Sequence, residues 1–271
     1  MTTLPITLIT LRNISHSKNN NMRHIVLLAF VMMPALVIAQ PAGVAPLNAT
    51  HAAAAQLVGD VHTVETTTWQ VDYSRHTIAK GAQTAHTIST YSRDGLIEQT
   101  STFDTDNQLD TKTIYQYDDK RQLRVSTTYD AKGNRTLQTL YAYTADGCLA
   151  RMRFTDADAV TISTTEVGTA NNWAQTSEQF NDGEKIVSTY TYDNKTRLTT
   201  IATDDSHTST TTRITMGLDA LPTRATFSTS DGRRQTMTYQ HEVDERGNWT
   251  REITSIDDTP TTLSVRTVGY Y

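Results

Sequence analysis

The chain is poor in the residues that staple or interrupt a fold. It holds one cysteine, Cys148, among 271 residues, so no internal disulfide can form and packing with backbone hydrogen bonds must suffice. Of six prolines, only Pro222 and Pro260 lie beyond position 46. Proline removes a ladder donor, so this scarcity suits a continuous sheet. Basic charge is not in excess: 24 Lys and Arg stand against 29 Asp and Glu, a net charge of −5, with both signs scattered. That balance gives no cationic surface for nucleic acid. Metal spacing is missing as well. The histidines after the apolar segment are His51, His62, His76, His86, His207 and His241, and none forms a His-Glu-x-x-His or joins a cysteine pair. Neither a metal nor a cofactor is expected.

Long apolar runs are also scarce. Met22-Arg-His precedes an apolar stretch of about 15 residues ending in small side chains at Val37 and Ala39, the pattern of a secretory signal peptide. Cleavage is expected between Ala39 and Gln40. The stretch is too short for a confident span, so the mature chain is expected to carry no helical membrane segment. Residues 1–39 therefore read as an N-terminal extension plus signal, with Met22 as the natural start. Residues 40–58, with Pro41, Pro46 and the alanines 52–55, read as a linker. Residues 59–271 read as one β domain.

What the chain does have is a turn signal every 10 to 15 residues. It runs from Lys80-Gly81 through Asp94-Gly95, Asp106-Asn107, Lys132-Gly133, Asp146-Gly147 and Asp231-Gly232 to Asp257-Asp258. Gly and Asn supply positive φ, and Asp bonds the local backbone, which is what tight hairpins demand. Threonine, 51 of 271 residues, favours strands. Between turns, side chains alternate: Leu137, Thr139, Tyr141 and Tyr143 share a parity, as do Ile186, Ser188, Tyr190 and Tyr192, and Met237, Tyr239, His241 and Val243. Leu123, Val125, Thr127 and Tyr129, and Cys148, Ala150, Met152 and Phe154, are read the same way. A period of two means strands with one buried face.

The expected fold is all-β, a long antiparallel meander of about 14–16 strands. Fifteen strands at about 4.8 Å spacing would span about 70 Å, and open sheets seldom exceed about 10 strands without curling. The sheet is therefore expected to curl into a half-barrel, open barrel or wrapped shell. Val61 to Tyr73 reads as the strand that starts it, and Leu263 to Tyr271 as its final edge.

The segments Tyr115–Leu123 (YQYDDKRQL), Tyr129–Arg135 (YDAKGNR) and Tyr190–Leu198 (YTYDNKTRL) resemble the YD repeats of bacterial RHS-type proteins. Val243–Arg251 (VDERGNWTR) resembles the closing repeat of small exported members. Arg121 stands where the repeat usually has Gly, and 156–172 keeps least of the pattern. The resemblance implies a β-hairpin scaffold, and function does not transfer from a scaffold.

Candidate site residues are few. Trp249, Trp69, Tyr239 and His241 are singled out as partner-binding or end-capping side chains; aromatics at such positions stack on ligands or close a core. His241 shares the parity of Met237 and Tyr239, which reads as a packed imidazole. Asp104 to Asp110 has a faint calcium-loop look, but Leu109 replaces the required Gly and turn chemistry explains the aspartates. Asp204, Asp205 and His207 sit near serines without any nucleophile context. The expected function is a non-enzymatic exported scaffold or binding protein, periplasmic or secreted, that holds a protein or glycan on a concave face. A toxin-immunity role is one version. An outer-membrane β-barrel and, behind it, a secreted hydrolase are the alternatives.

Overall fold

A computed structural model describes Ala55 and residues 57–74, 77–170, 173–181, 184–193, 198–205, 208–217 and 221–271. The signal-peptide and start-site readings lie outside these residues, as do His51, His76 and His207. Among the described residues there is no helix. The strands are β1 Val61–Ser74, β2 Thr77–Tyr91, β3 Ile97–Phe103, β4 Leu109–Tyr117, β5 Leu123–Asp130 and β6 Arg135–Tyr143. They continue as β7 Leu149–Thr155, β8 Thr161–Ala170, β9 Trp173–Asn181, β10 Glu184–Tyr192 and β11 Leu198–Asp204. The last five are β12 Ser209–Met216, β13 Pro222–Thr229, β14 Arg234–Val243, β15 Trp249–Ile256 and β16 Thr259–Tyr270.

Each strand pairs antiparallel with its sequence neighbours, and β1 pairs with β16, so the meander closes into a barrel. The seam runs from Val61↔Tyr270 to Gln70↔Thr262. Neither terminal strand is an edge, contrary to the expectation from their position in the chain. Closure removes the unpaired backbone groups that an edge would expose.

The turns are built by one local device. In the Asp118 turn the backbone NH of Arg121 donates to the Asp118 carbonyl at 2.8 Å, and that of Asp118 to the Gln122 carbonyl at 3.0 Å. Asp118 Oδ1 accepts from the NH groups of Lys120 and Gln122, both at 2.9 Å. Asp104, Asp130, Asp156 and Asp244 repeat this carboxylate bridge. The fourth turn residue takes positive φ: Gly133, Gly147, Gly232 and Gly247, but also Asn107, Arg121 and Ala159. The departures from Gly at Arg121 and Ala159 thus keep the turn and carry its backbone strain. Asp104 Oδ1 bonds the backbone of its own turn.

Turn devices recur at 92, 118 and 144 at one end and at 104, 130 and 156 at the other, an interval of 26 residues. The repeat is therefore two strands long. Its tyrosine has a fixed job: the hydroxyls of Tyr117, Tyr143 and Tyr192 donate to the carbonyls of Ile97, Leu123 and Ala174, at 2.7, 2.9 and 2.8 Å. Each such bond ties one hairpin to the one before it.

Register sorts the side chains into two faces. Ser89↔Thr100, Thr113↔Thr128 and Ser126↔Thr139 lie on one continuous face, with Tyr115 and Tyr141 beside them. This is the inner wall. Leu57, Val61, Val64, Tyr91, Ile97, Tyr115, Leu123, Tyr141 and Met152 form its larger apolar cluster, and Val167, Ala174, Tyr190 and Leu198 a smaller one. One parity reading is corrected here and a second only in part, since Met152 and Phe154 face in as their alternation implies. The register shifts between Gln116 and Tyr117, and again between Ala142 and Tyr143. These bulges put Leu123 and Leu149 inside while Val125, Thr127 and Tyr129 face out. An inserted residue flips every side chain beyond it.

Candidate functional site

The three neighbouring strands β14, β15 and β16 bring together most of the aromatic residues singled out in the sequence. Register pairs Tyr239↔Thr254 and His241↔Glu252 across β14 and β15, and Glu252↔Ser264 across β15 and β16. On the other side of the seam Thr66 pairs with Arg266. All of these face inward. Gly247, at φ +90°, permits the turn before β15, and Trp249 then enters the wall, only 7% exposed.

His241 Nε2 and Glu252 Oε2 are hydrogen-bonded at 2.8 Å. The two side chains are 6% and 12% exposed. The hydroxyl of Thr254 reaches Glu252 Oε1 at 3.4 Å. The centroids of the His241 and Trp249 rings are 6.5 Å apart. Burial pushes the Tyr239 hydroxyl up to about 12, and the charge of Glu252 adds to this.

The sequence reading missed the most telling member. Arg266 is 7% exposed, and its guanidinium carbon lies 3.5 Å from the centroid of the Trp249 ring. Burial lowers its pKa to about 10, against opposing contributions from Tyr91 and Glu252. Its Nε has no hydrogen-bond partner among the described residues, and neither has the neighbouring Thr66 Oγ1. The overlooked signal was parity. Ser264, Arg266, Val268 and Tyr270 alternate with the apolar Leu263 and Val265, and only the seam pairing shows which set faces in.

Trp69 does not join this group. It lies on the outer face opposite Leu263, and the Lys80 ammonium sits 3.8 Å from its ring centroid. Its neighbours across β16 and β15 on that face, Leu263 and Ile253, are apolar and buried, and the charge of the outer wall lies on β7 to β10, β12 and β13. Arg151 pairs with Glu166 at 2.5 Å and Lys185 with Glu178 at 2.9 Å, and the exposed Arg153, Arg213 and Arg224 lie mid-strand on the same face.

Asn248 closes the barrel end next to the site. Only 1% exposed, it accepts the Val58 NH at 2.7 Å and donates Nδ2–H to the Val58 carbonyl at 2.9 Å. It also donates to the Tyr270 hydroxyl at 2.7 Å, which in turn donates to Asp244 at 2.6 Å. The segment leading into β1 is thereby clamped onto the turn between β14 and β15.

Fold and wall together define a closed 16-strand antiparallel β-barrel with a charged outer face and an aromatic, partly ionic inner one. No family model matches the chain, and no curated protein does. Among solved structures it is similar to a porin-like protein from Bacteroides uniformis, at 14% identity over 78% of this chain and 99% of that one, with a TM-score of 0.55. A porin-like protein from Bacteroides vulgatus matches at 13% identity over 76% of this chain and 97% of that one, TM-score 0.34. The Photorhabdus luminescens Tc holotoxin pore matches at 12% identity over 70% of this chain but 15% of that one, TM-score 0.23. The first likeness is one of fold.

Proposed function

We propose that the protein is a non-enzymatic exported β-barrel, periplasmic or secreted, that holds a partner through its concave inner wall. One observation carries this reading: the outward face bears charge within the strands, in Arg151, Arg153, Glu166, Glu178, Arg213 and Arg224. A face meant for lipid would lose about 2–4 kcal/mol for each Arg or Lys at the bilayer midplane. The same residues in water cost nothing of that kind. The inner wall, with Trp249, Tyr239, His241 and Arg266, offers the concave surface that a protein or glycan partner needs.

The outer-membrane reading draws on the strand count and on the fold likeness to a porin-like protein. Sixteen strands suit such a barrel, but the charged outer wall argues against it. The YD-repeat kinship is supported by the turn chemistry, in which the Tyr bonds the preceding hairpin and the Asp bridges the turn. An immunity role is the narrower version, and it calls for a toxin gene beside this one. Detergent-free osmotic shock tests the main reading. The protein should appear in the soluble released fraction; retention with outer membranes would overturn it.

A further inference from the structure

We propose that Arg266, with Thr66 beside it, docks an oxyanion group, a carboxylate or a phosphate, carried by the ligand of the inner wall. This rests on the reading of the barrel as a binding protein. Two buried donors stand side by side across the seam, Arg266↔Thr66, and both Arg266 Nε and Thr66 Oγ1 lack a partner. A guanidinium has five donors and no acceptor, and a threonine hydroxyl can donate as well. The group that satisfies both is an acceptor with several lone pairs, and negative charge suits it best.

The charge of Glu252 reaches Arg266, yet no hydrogen bond or ion pair among the described residues joins the two side chains. Glu252 Oε2 is bonded to His241 Nε2 at 2.8 Å, and Oε1 accepts from Thr254 at 3.4 Å. No carboxylate among the described residues forms an ion pair with Arg266. Its charge acts on Glu252 and Tyr91 only across space. Burying a charged group without a hydrogen-bonded partner is costly, and such exceptions in folded proteins call for an explanation.

Geometry also favours recognition over mere packing. The guanidinium carbon sits 3.5 Å from the Trp249 ring centroid, so the ring backs the guanidinium and limits where the fork can swing. A preset fork loses little freedom when it meets a carboxylate or phosphate. A cationic ligand would meet like charge here, and a neutral sugar would leave the guanidinium's charge unmatched.

Calorimetric titration of the purified full chain, first with inorganic phosphate and then with acetate, at constant ionic strength in chloride, tests the assignment. At least one oxyanion should bind saturably, with one site per barrel, and raise the melting temperature. A preference for phosphate identifies a phosphate-bearing ligand and a preference for acetate a carboxylate. Arg266→Lys, which keeps the charge and removes the fork, should weaken binding about 10- to 150-fold, and Thr66→Val should weaken it less. Circular dichroism of both variants checks that the barrel is intact. Absence of saturable binding by either anion in protein released by osmotic shock would overturn the oxyanion assignment alone. Binding that survives unchanged in both variants would overturn it as well. Retention in membranes would instead strike at the parent reading.

Discussion

Arg266 lies over the face of Trp249 with its guanidinium carbon 3.5 Å from the ring centroid, inside a wall where its Nε meets no acceptor. The contact stabilises through cation–π attraction, but the buried charge works in the opposite direction. Replacement of buried ions by apolar side chains of similar volume is often neutral or stabilising. Arg266→Met should therefore raise stability by about 1 kcal/mol in urea denaturation without ligand. Trp249→Ala should lower it by about 3–5 kcal/mol, as loss of a large buried aromatic does.

A glycine stands where β16 meets β1 at the seam. A Cβ on Gly269 would overlap Thr63 Oγ1 across the seam. Gly269→Ala should destabilise the barrel, and the double change Thr63→Ala with Gly269→Ala should recover most of the loss. Thermal denaturation of the three variants gives the coupling, which neighbouring residues should show and distant ones should not.

Ala159 occupies the turn position with φ 63°, where a Cβ is strained. Ala159→Gly should stabilise the protein by about 1 kcal/mol, the usual penalty for a left-handed non-glycine residue. A higher denaturation midpoint with an unchanged slope would show the gain in stability.

High pH should unfold the barrel cooperatively. Burial raises the hydroxyls of Tyr91, against the opposing charge of Arg266, and of Tyr239 to about 12 from 10.0. It raises Tyr141 and Tyr190 as well, despite their bonds to Ser126 and Ser177. Because the folded-state values lie above the unfolded ones, this stability is complete below pH 10 and declines as pH rises toward 12. Tyrosinate absorbance near 295 nm should rise together with loss of circular dichroism rather than ahead of it.

Asn248→Ala removes three hydrogen bonds that hold the lead-in chain and Tyr270. A loss of about 1–3 kcal/mol is expected. Hydrogen exchange should speed up at 57–60 more than at mid-strand positions.

The sequence exposed whatever is local. Asp118 and its counterparts announce turns because their carboxylates bond the backbone two and four residues on, and that chemistry is written within five residues. The count and alternation of strands follow, and with them the curled meander. The partner of β1 was not legible, because the Val61↔Tyr270 seam joins residues at opposite ends of the chain. Leu123 was grouped with outward-facing companions, and Leu149 was left out of the inward set, because a bulge leaves no compositional mark. Tyr239 and His241 were legible from a shared inward parity and Trp249 as an aromatic just after a turn, and Trp69 was grouped with them although it faces out. Arg266 was invisible for the converse reason: its charge reads as surface until the seam turns it inward.

Site-directed labelling tests the account most directly, since it rests on a charged face turned to water and an aromatic face turned in. In a Cys148→Ser background, single changes Arg153→Cys and Arg224→Cys place thiols on the outer wall, and Thr139→Cys, at a position 1% exposed, places one on the inner wall. With a water-soluble maleimide and no detergent, the two outer thiols should react rapidly and the inner one slowly. Fast labelling at Thr139→Cys with protection at Arg153→Cys and Arg224→Cys, in a membrane-bound protein, would contradict it.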